Sequence, residues 1–97
     1  MDDDLHEPLK PDQAKLLIRE ILLTREFTIS RHCLEEMEVD NLTILNCLDV
    51  LRAGVARPPD FDKGSWRYRT ETSRLVVVVA FRSRTEFVLV TAWRKKP

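Results

Sequence analysis

Residues 75–81, Leu-Val-Val-Val-Val-Ala-Phe between Arg74 and Arg82, constrain this chain more than any other segment. The run is about a third of the ~20 residues a membrane helix needs, and its β-branched content suits a strand. Alternate strand side chains point to opposite faces, so Val76, Val78 and Ala80 look one way and Leu75, Val77, Val79 and Phe81 the other. Both faces of the sheet must then be dry near its centre, and helices can cover one of them. The other face calls for the first helix, a second copy of the chain or a partner protein.

The flanking segments fit around this strand. Residues 66–70 alternate Trp66 and Tyr68 with Arg67 and Arg69, and residues 87–93 are again β-branched and aromatic. The links at 71–74 and 83–86 are short enough for hairpins, which predicts an antiparallel meander with residues 75–82 in the middle. Upstream, Pro11 and Asp12 open a helix whose face is Ala14, Leu17, Ile18, Ile21 and Leu22, ending near Thr24. Residues 25–29 read as a short strand. Ser30 caps a second helix with Leu34 and Met37 inside. Asp40 or Asn41 caps a third, with Ile44, Leu45, Leu48 and Leu51 on one face and Gly54 as its left-handed C-terminal residue. Residues 57–64 are a turn-rich connection. The expected fold is α+β, with N-terminal helices packed on a C-terminal antiparallel sheet of three to four strands. Residues 1–9, with an Asp run and nothing periodic to bury, are expected as a flexible tail to a single domain over 10–97.

Net charge is zero, which excludes a globally basic nucleic-acid coat, yet the halves differ. Residues 1–40 hold 11 acids and 5 bases, and residues 41–97 hold 5 acids and 11 bases. A basic working surface has this asymmetry, as do two halves that fold together by charge complementarity. The acidic start and the lack of an apolar run after it suggest a cytoplasmic protein without a membrane partner. Cys33 and Cys47 lack the spacing of a zinc module and read as small buried residues, although one bridge between them is open. No metal or cofactor is expected.

Arg67 and Arg69, two apart on a strand, project from one face and suit an anionic group such as phosphate. Arg74, Arg82, Arg84, Arg94, Lys95 and Lys96 lie at strand ends or hairpins and extend a patch that could bind RNA. The same pattern is also what a solvated strand face looks like. Tyr68 falls opposite the arginines, where packing is its natural role. His32, in the first turn of the second helix, is the side chain best suited to proton transfer near neutrality. No helix has a basic recognition face, the third offering only Arg52, which weighs against a DNA-binding regulator.

The order helix, short strand, two helices, turn-rich link and three-stranded meander with a basic end resembles the RelE and MqsR superfamily of bacterial toxin ribonucleases. Locally, Phe27-Thr28-Ile29-Ser30-Arg31-His32-Cys33-Leu34-Glu35-Glu36-Met37, Gly54, Tyr68-Arg69 and Val90-Thr91-Ala92-Trp93 are similar to small domains of unknown function that open with a strand and a His-Ala-x-x-Arg-Met helix. The likeness spans about residues 26–95, with Cys33 in place of the alanine and Glu36 in place of the arginine. It implies metal-independent RNA cleavage by attack of the ribose 2′-hydroxyl on the adjacent phosphate. The implied catalytic residues are His32, Arg67, Arg69, Tyr68 and Lys95, and the RNA-binding ones Arg74, Arg82, Arg84, Arg94 and Lys96. Implied partners are RNA and a cognate antitoxin. The alternative is a non-catalytic interaction module of the same fold, dimeric or partner-bound.

Overall fold

The structure is a computed structural model and describes residues 5–96. Among the described residues three helices, α1 (Pro11–Thr24), α2 (Arg31–Val39) and α3 (Ile44–Ala53), accompany six strands. These are β1 (Phe27–Ile29), β2 (Val55–Ala56), β3 (Asp60–Asp62), β4 (Ser65–Glu71), β5 (Leu75–Ser83) and β6 (Glu86–Arg94). The chain is α+β, but its sheet is larger than the expected meander and mixed. Along the sheet the order is β1-β6-β5-β4-β2, with β3 also paired to β4.

Three additions account for the difference. β1, between α1 and α2, joins β6 in parallel, Phe27 opposite Phe87 and Ile29 opposite Leu89. β2 and β3 take successive lengths of β4's outer edge, Val55 opposite Glu71 and Asp60 opposite Arg67. The β3–β4 hairpin turns on Lys63 and Gly64, both at positive φ (50° and 83°), as a tight two-residue loop requires. The segment expected as connection thus contains a hairpin.

Ser30 caps α2 as expected: its Oγ accepts from the Cys33 N–H at 3.0 Å and donates to the Val90 carbonyl, tying the helix start to β6. The cap of α3 is Thr43 instead of Asp40 or Asn41, in a reciprocal pair with Asn46. Asp40 instead accepts the Arg94 N–H on its carboxylate at 2.7 Å, fastening the end of α2 to the end of β6. Gly54 is also not left-handed (φ −73°, ψ 170°). It is glycine for want of room: a Cβ there would lie 2.6 Å from the Val50 carbonyl oxygen, 2.9 Å from the Glu71 carbonyl oxygen and 2.9 Å from Thr70 Cγ2. The Gly54 carbonyl also accepts from Lys15 Nζ, which joins α1 to this corner.

All three helices and the inward residues of β4, β5 and β6 form one apolar cluster that includes Ile18, Cys33, Met37, Leu51, Tyr68, Val77, Phe87 and Leu89. The last part of the expected tail joins it, since Leu5 and Leu9 pack on this core. Tyr68 Oη accepts from the Leu9 N–H at 3.0 Å and donates to Glu7 at 2.8 Å, so the tyrosine holds the segment in place. Residues 1–4 of the expected tail lie outside the described residues.

Among the described residues no helix lies on the opposite face of the sheet, yet Val76, Val78 and Ala80 are buried there. Cross-strand neighbours shade them: Glu71 and Trp93 flank Val76, Arg69 and Thr91 flank Val78, and Val88 lies beside Ala80. Long polar stems and an indole do the covering that a second layer of helices would otherwise do. No helix is long and apolar enough to cross a membrane among the described residues.

The Gly54 corner carries a direct prediction. Gly54→Ala forces the backbone of β4 away from the end of α3 and should destabilise the fold by about 1–3 kcal/mol, read as a lower urea midpoint at unchanged slope. An unaltered midpoint would refute the packing reason for glycine.

Candidate functional site

Strand alternation sends Arg67, Arg69 and Glu71 to the face of the sheet that bears no helix, and Tyr68 and Thr70 to the core. A cleft of about 420 Å³ opens on the helix-free face, lined by Asp60, Phe61, Asp62, Arg67, Arg69, Val78, Thr91 and Trp93. Arg67 Nε donates to Ser65 Oγ at 2.9 Å, and the Arg69 guanidinium lies 5.4 Å from the centre of the Trp93 ring. Among the described residues neither arginine forms an ion pair with a carboxylate. Phe61 is 61% exposed and meets Trp66 edge-on at 5.2 Å. The cleft therefore joins two guanidinium groups, the Trp93 ring and two carboxylates on one accessible surface, with Phe61 at its rim and the Phe61 ring turned toward Trp66.

Trp93 reaches this face through a bulge. Val78 pairs with Thr91 while the next residue, Val79, pairs with Leu89, so Val90 is an extra residue in β6. Strict alternation from the buried Phe87 and Leu89 would send Thr91 and Trp93 into the core. With the bulge, Ala92 is the buried residue instead.

The remaining candidates divide by location. Lys95 Nζ lies 3.2 Å from Glu71 Oε1, which also meets Arg57 at 3.3 Å. The hydrogen bond from Lys95, reinforced by Arg57, holds the Glu71 carboxyl below its usual range. Lys95 is thus tied to a carboxylate beside the cleft. Arg74 lies in the β4–β5 turn, where its carbonyl accepts the Lys95 N–H. Arg82 pairs with Glu86 at 3.8 Å by the β5–β6 turn, at the opposite end of the sheet. Arg84 lines grooves beside α1, on the helical side. Arg94 donates to the carbonyls of Asp40 and Asn41, and Lys96 is exposed beyond β6. Only Arg67 and Arg69 of the ten candidates line the cleft.

His32 is not in the cleft. Its side chain is 66% exposed on α2, with Nε2 2.8 Å from Glu36 Oε1, so the glutamate standing where the resembling domains have arginine is the partner of the imidazole. Tyr68 is 2% exposed, and burial pushes its phenol well above the usual range. Burial likewise pushes the Cys33 thiol up to about 12, with Cys47 and Glu36 adding to it; both cysteines are free and enclosed. Thiolate chemistry at neutral pH is closed to Cys33. Among the described residues no group of His, Cys, Asp and Glu is arranged to hold a metal ion.

Asp60, Phe61, Asp62, Thr91 and Trp93 entered the site only with the tertiary structure. One local signal bore on the first three: Lys63-Gly64 between Phe61 and Trp66 is a hairpin turn between aromatic residues. No protein-family model, curated protein or solved structure matches the chain.

Tyr68 is the only tyrosine, so its titration is directly observable. A phenol whose folded pKa is raised contributes stability in full below its unfolded value, near 10, and loses it as pH rises beyond that value. Tyr68→Phe removes the hydrogen bonds to Glu7 and Leu9 and should cost about 1–2 kcal/mol at pH 7. The gap between variant and wild type should then narrow above pH ~10, measured by urea unfolding across the alkaline range. A gap constant with pH would contradict the structural role.

Proposed function

We propose that this protein is a small RelE/MqsR-like toxin that takes single-stranded RNA across the helix-free face of its sheet, in the cytoplasm, under the control of an antitoxin covering that face. The observation that carries the reading is the cleft itself, with Arg67 and Arg69 unpaired to carboxylates beside the Trp93 ring and with Phe61 exposed at its rim. Guanidinium forks match phosphate oxygens, and neutralising phosphates releases counterions, which drives binding. Aromatic rings accept unstacked bases of any sequence, a contact that duplex RNA does not offer. Asp60 and Asp62 add acceptors for base amino groups and ribose 2′-hydroxyls. Net charge zero suits such a local site, in which attraction comes from the cleft and not from the whole surface.

In the ribonuclease form of this reading, a cleft carboxylate takes the proton of the 2′-hydroxyl, O2′ bonds to phosphorus, and the P–O5′ bond breaks. Water protonates the departing 5′ oxygen, and the products are a 2′,3′-cyclic phosphate and a 5′-hydroxyl. Arg67 and Arg69 offset the charge that grows on the phosphoryl oxygens. Asp60 and Asp62 take the proton-transfer role in place of His32 and Tyr68, which lie outside the cleft. The engagement of His32 by Glu36 and of Tyr68 by Glu7 favours a non-catalytic module of the same fold. It differs from the partner-bound interaction module expected from the sequence in that its partner at this cleft is RNA, bound and not cut.

Anisotropy with a labelled single-stranded RNA tests the binding. Arg67→Ala, Arg69→Ala and Trp93→Ala should each weaken it about tenfold or more, and each arginine variant should lower the salt slope by about 1. Arg82→Ala should change little. Absence of binding, or indifference to all three variants, overturns the proposal. Incubation with long RNA without added metal separates the two forms: cutting abolished by Asp62→Asn and Arg67→Ala supports the nuclease, and binding without cutting supports the module.

A further inference from the structure

The exposed side of α1 carries a pattern that the RNA reading does not use. Leu16 is 60% exposed and Leu23 is 87% exposed, seven residues apart, and Arg19 and Glu20 lie exposed between them. Positions at this spacing share one helix face. A groove of about 520 Å³ runs beside the stripe, bounded by Leu16, Leu22 and Leu23 and by Arg19, Glu20 and Arg52. Two exposed leucines on one stripe are a cost to an isolated chain and a contact for a partner.

The order of the four residues points to which partner. Read in either direction the stripe is leucine, charge, opposite charge, leucine. In an antiparallel pair of α1 helices with the two-fold axis between residues 19 and 20, Leu16 meets Leu23 of the copy and Arg19 meets Glu20 of the copy, each contact made twice. A two-fold interface needs this self-complementarity, whereas a foreign partner would impose no such symmetry on the sequence. The antiparallel helix dipoles also oppose one another favourably. Arg19 Nη2 donates to the Arg52 carbonyl at 3.1 Å, which steadies the guanidinium and leaves further N–H donors for a carboxylate. Among the described residues Glu20 has no ion-pair partner.

We infer that this protein forms a two-fold homodimer through α1, held by the Leu16–Leu23 contacts and paired Arg19–Glu20 bridges. The helices occupy the layer opposite the cleft, so dimerisation leaves the helix-free sheet face open on both copies, and the inference stands whether or not RNA binds there.

Sedimentation velocity on the full chain tests it. Wild type should dimerise in the micromolar range, and Leu23→Glu should be monomeric. Arg19→Glu places glutamates against each other and Glu20→Arg places arginines against each other, so each alone should weaken the dimer about tenfold or more. The two variants mixed should form a heterodimer, and Arg19→Glu/Glu20→Arg in one chain should restore the homodimer. All four residues are exposed, and circular dichroism checks that each variant stays folded. A wild type that is monomeric throughout, as it would be if α1 served a different protein, overturns the inference. So does a dimer that ignores the charge variants, or a mixture that fails to associate.

Discussion

A central strand with both faces apolar sets the terms for everything around it. Val77, Val79 and Phe81 of β5 are covered conventionally by three helices and the inward residues of β4 and β6. Val76, Val78 and Ala80 have no such layer and stay dry beneath the side chains of their neighbours. Arg69 and Trp93 are among those neighbours. Side chains that shield the valines on one side and meet solvent on the other are also placed to meet a ligand, so the cleft grows out of the packing of β5.

The ends of the sheet are tied down by polar contacts that engage several of its cations. Glu71 gathers Arg57 and Lys95 at one end, Asp40 and Asn41 hold Arg94, and Glu86 takes Arg82 at the other end. Exposed pairs of this kind add little stability. Their effect here is to draw Arg57, Lys95, Arg94 and Arg82 onto oxygens at the ends of the sheet, while Arg67 and Arg69 stand together within β4 beside the Trp93 ring. On the helical side, Tyr68 performs the corresponding task for the N-terminal segment, joining Glu7 and Leu9 to the core through one hydroxyl.

Much of this was legible locally. The face of α1, the Ser30 cap, the meander and the buried aspect of Tyr68 follow from periodicity and capping chemistry. Leu34 and Leu45, expected inside, are instead 50% and 66% exposed. Cys33, Cys47 and Val50 take the buried positions of α2 and α3, because the helices roll on the sheet by about one residue from the leucine stripe. The cap at Thr43 and the reason for Gly54 were not legible either, because several residues near 40–43 can cap a helix, and a close approach to β4 leaves no trace around position 54 itself. The hairpin at Lys63-Gly64 was concealed by its short strands, and the direction of β1 by the fact that three residues do not encode a parallel or antiparallel neighbour.

By itself the sequence determined that this chain folds as helices on a sheet, with an all-apolar strand in the middle and Arg67 and Arg69 on one face of their own strand, since both conclusions rest on the two-residue period of a strand. Tertiary structure decided that Trp93 shares that face. One extra residue in β6 reverses the alternation after Leu89, and a bulge is a property of the register between two strands, which neither strand carries alone.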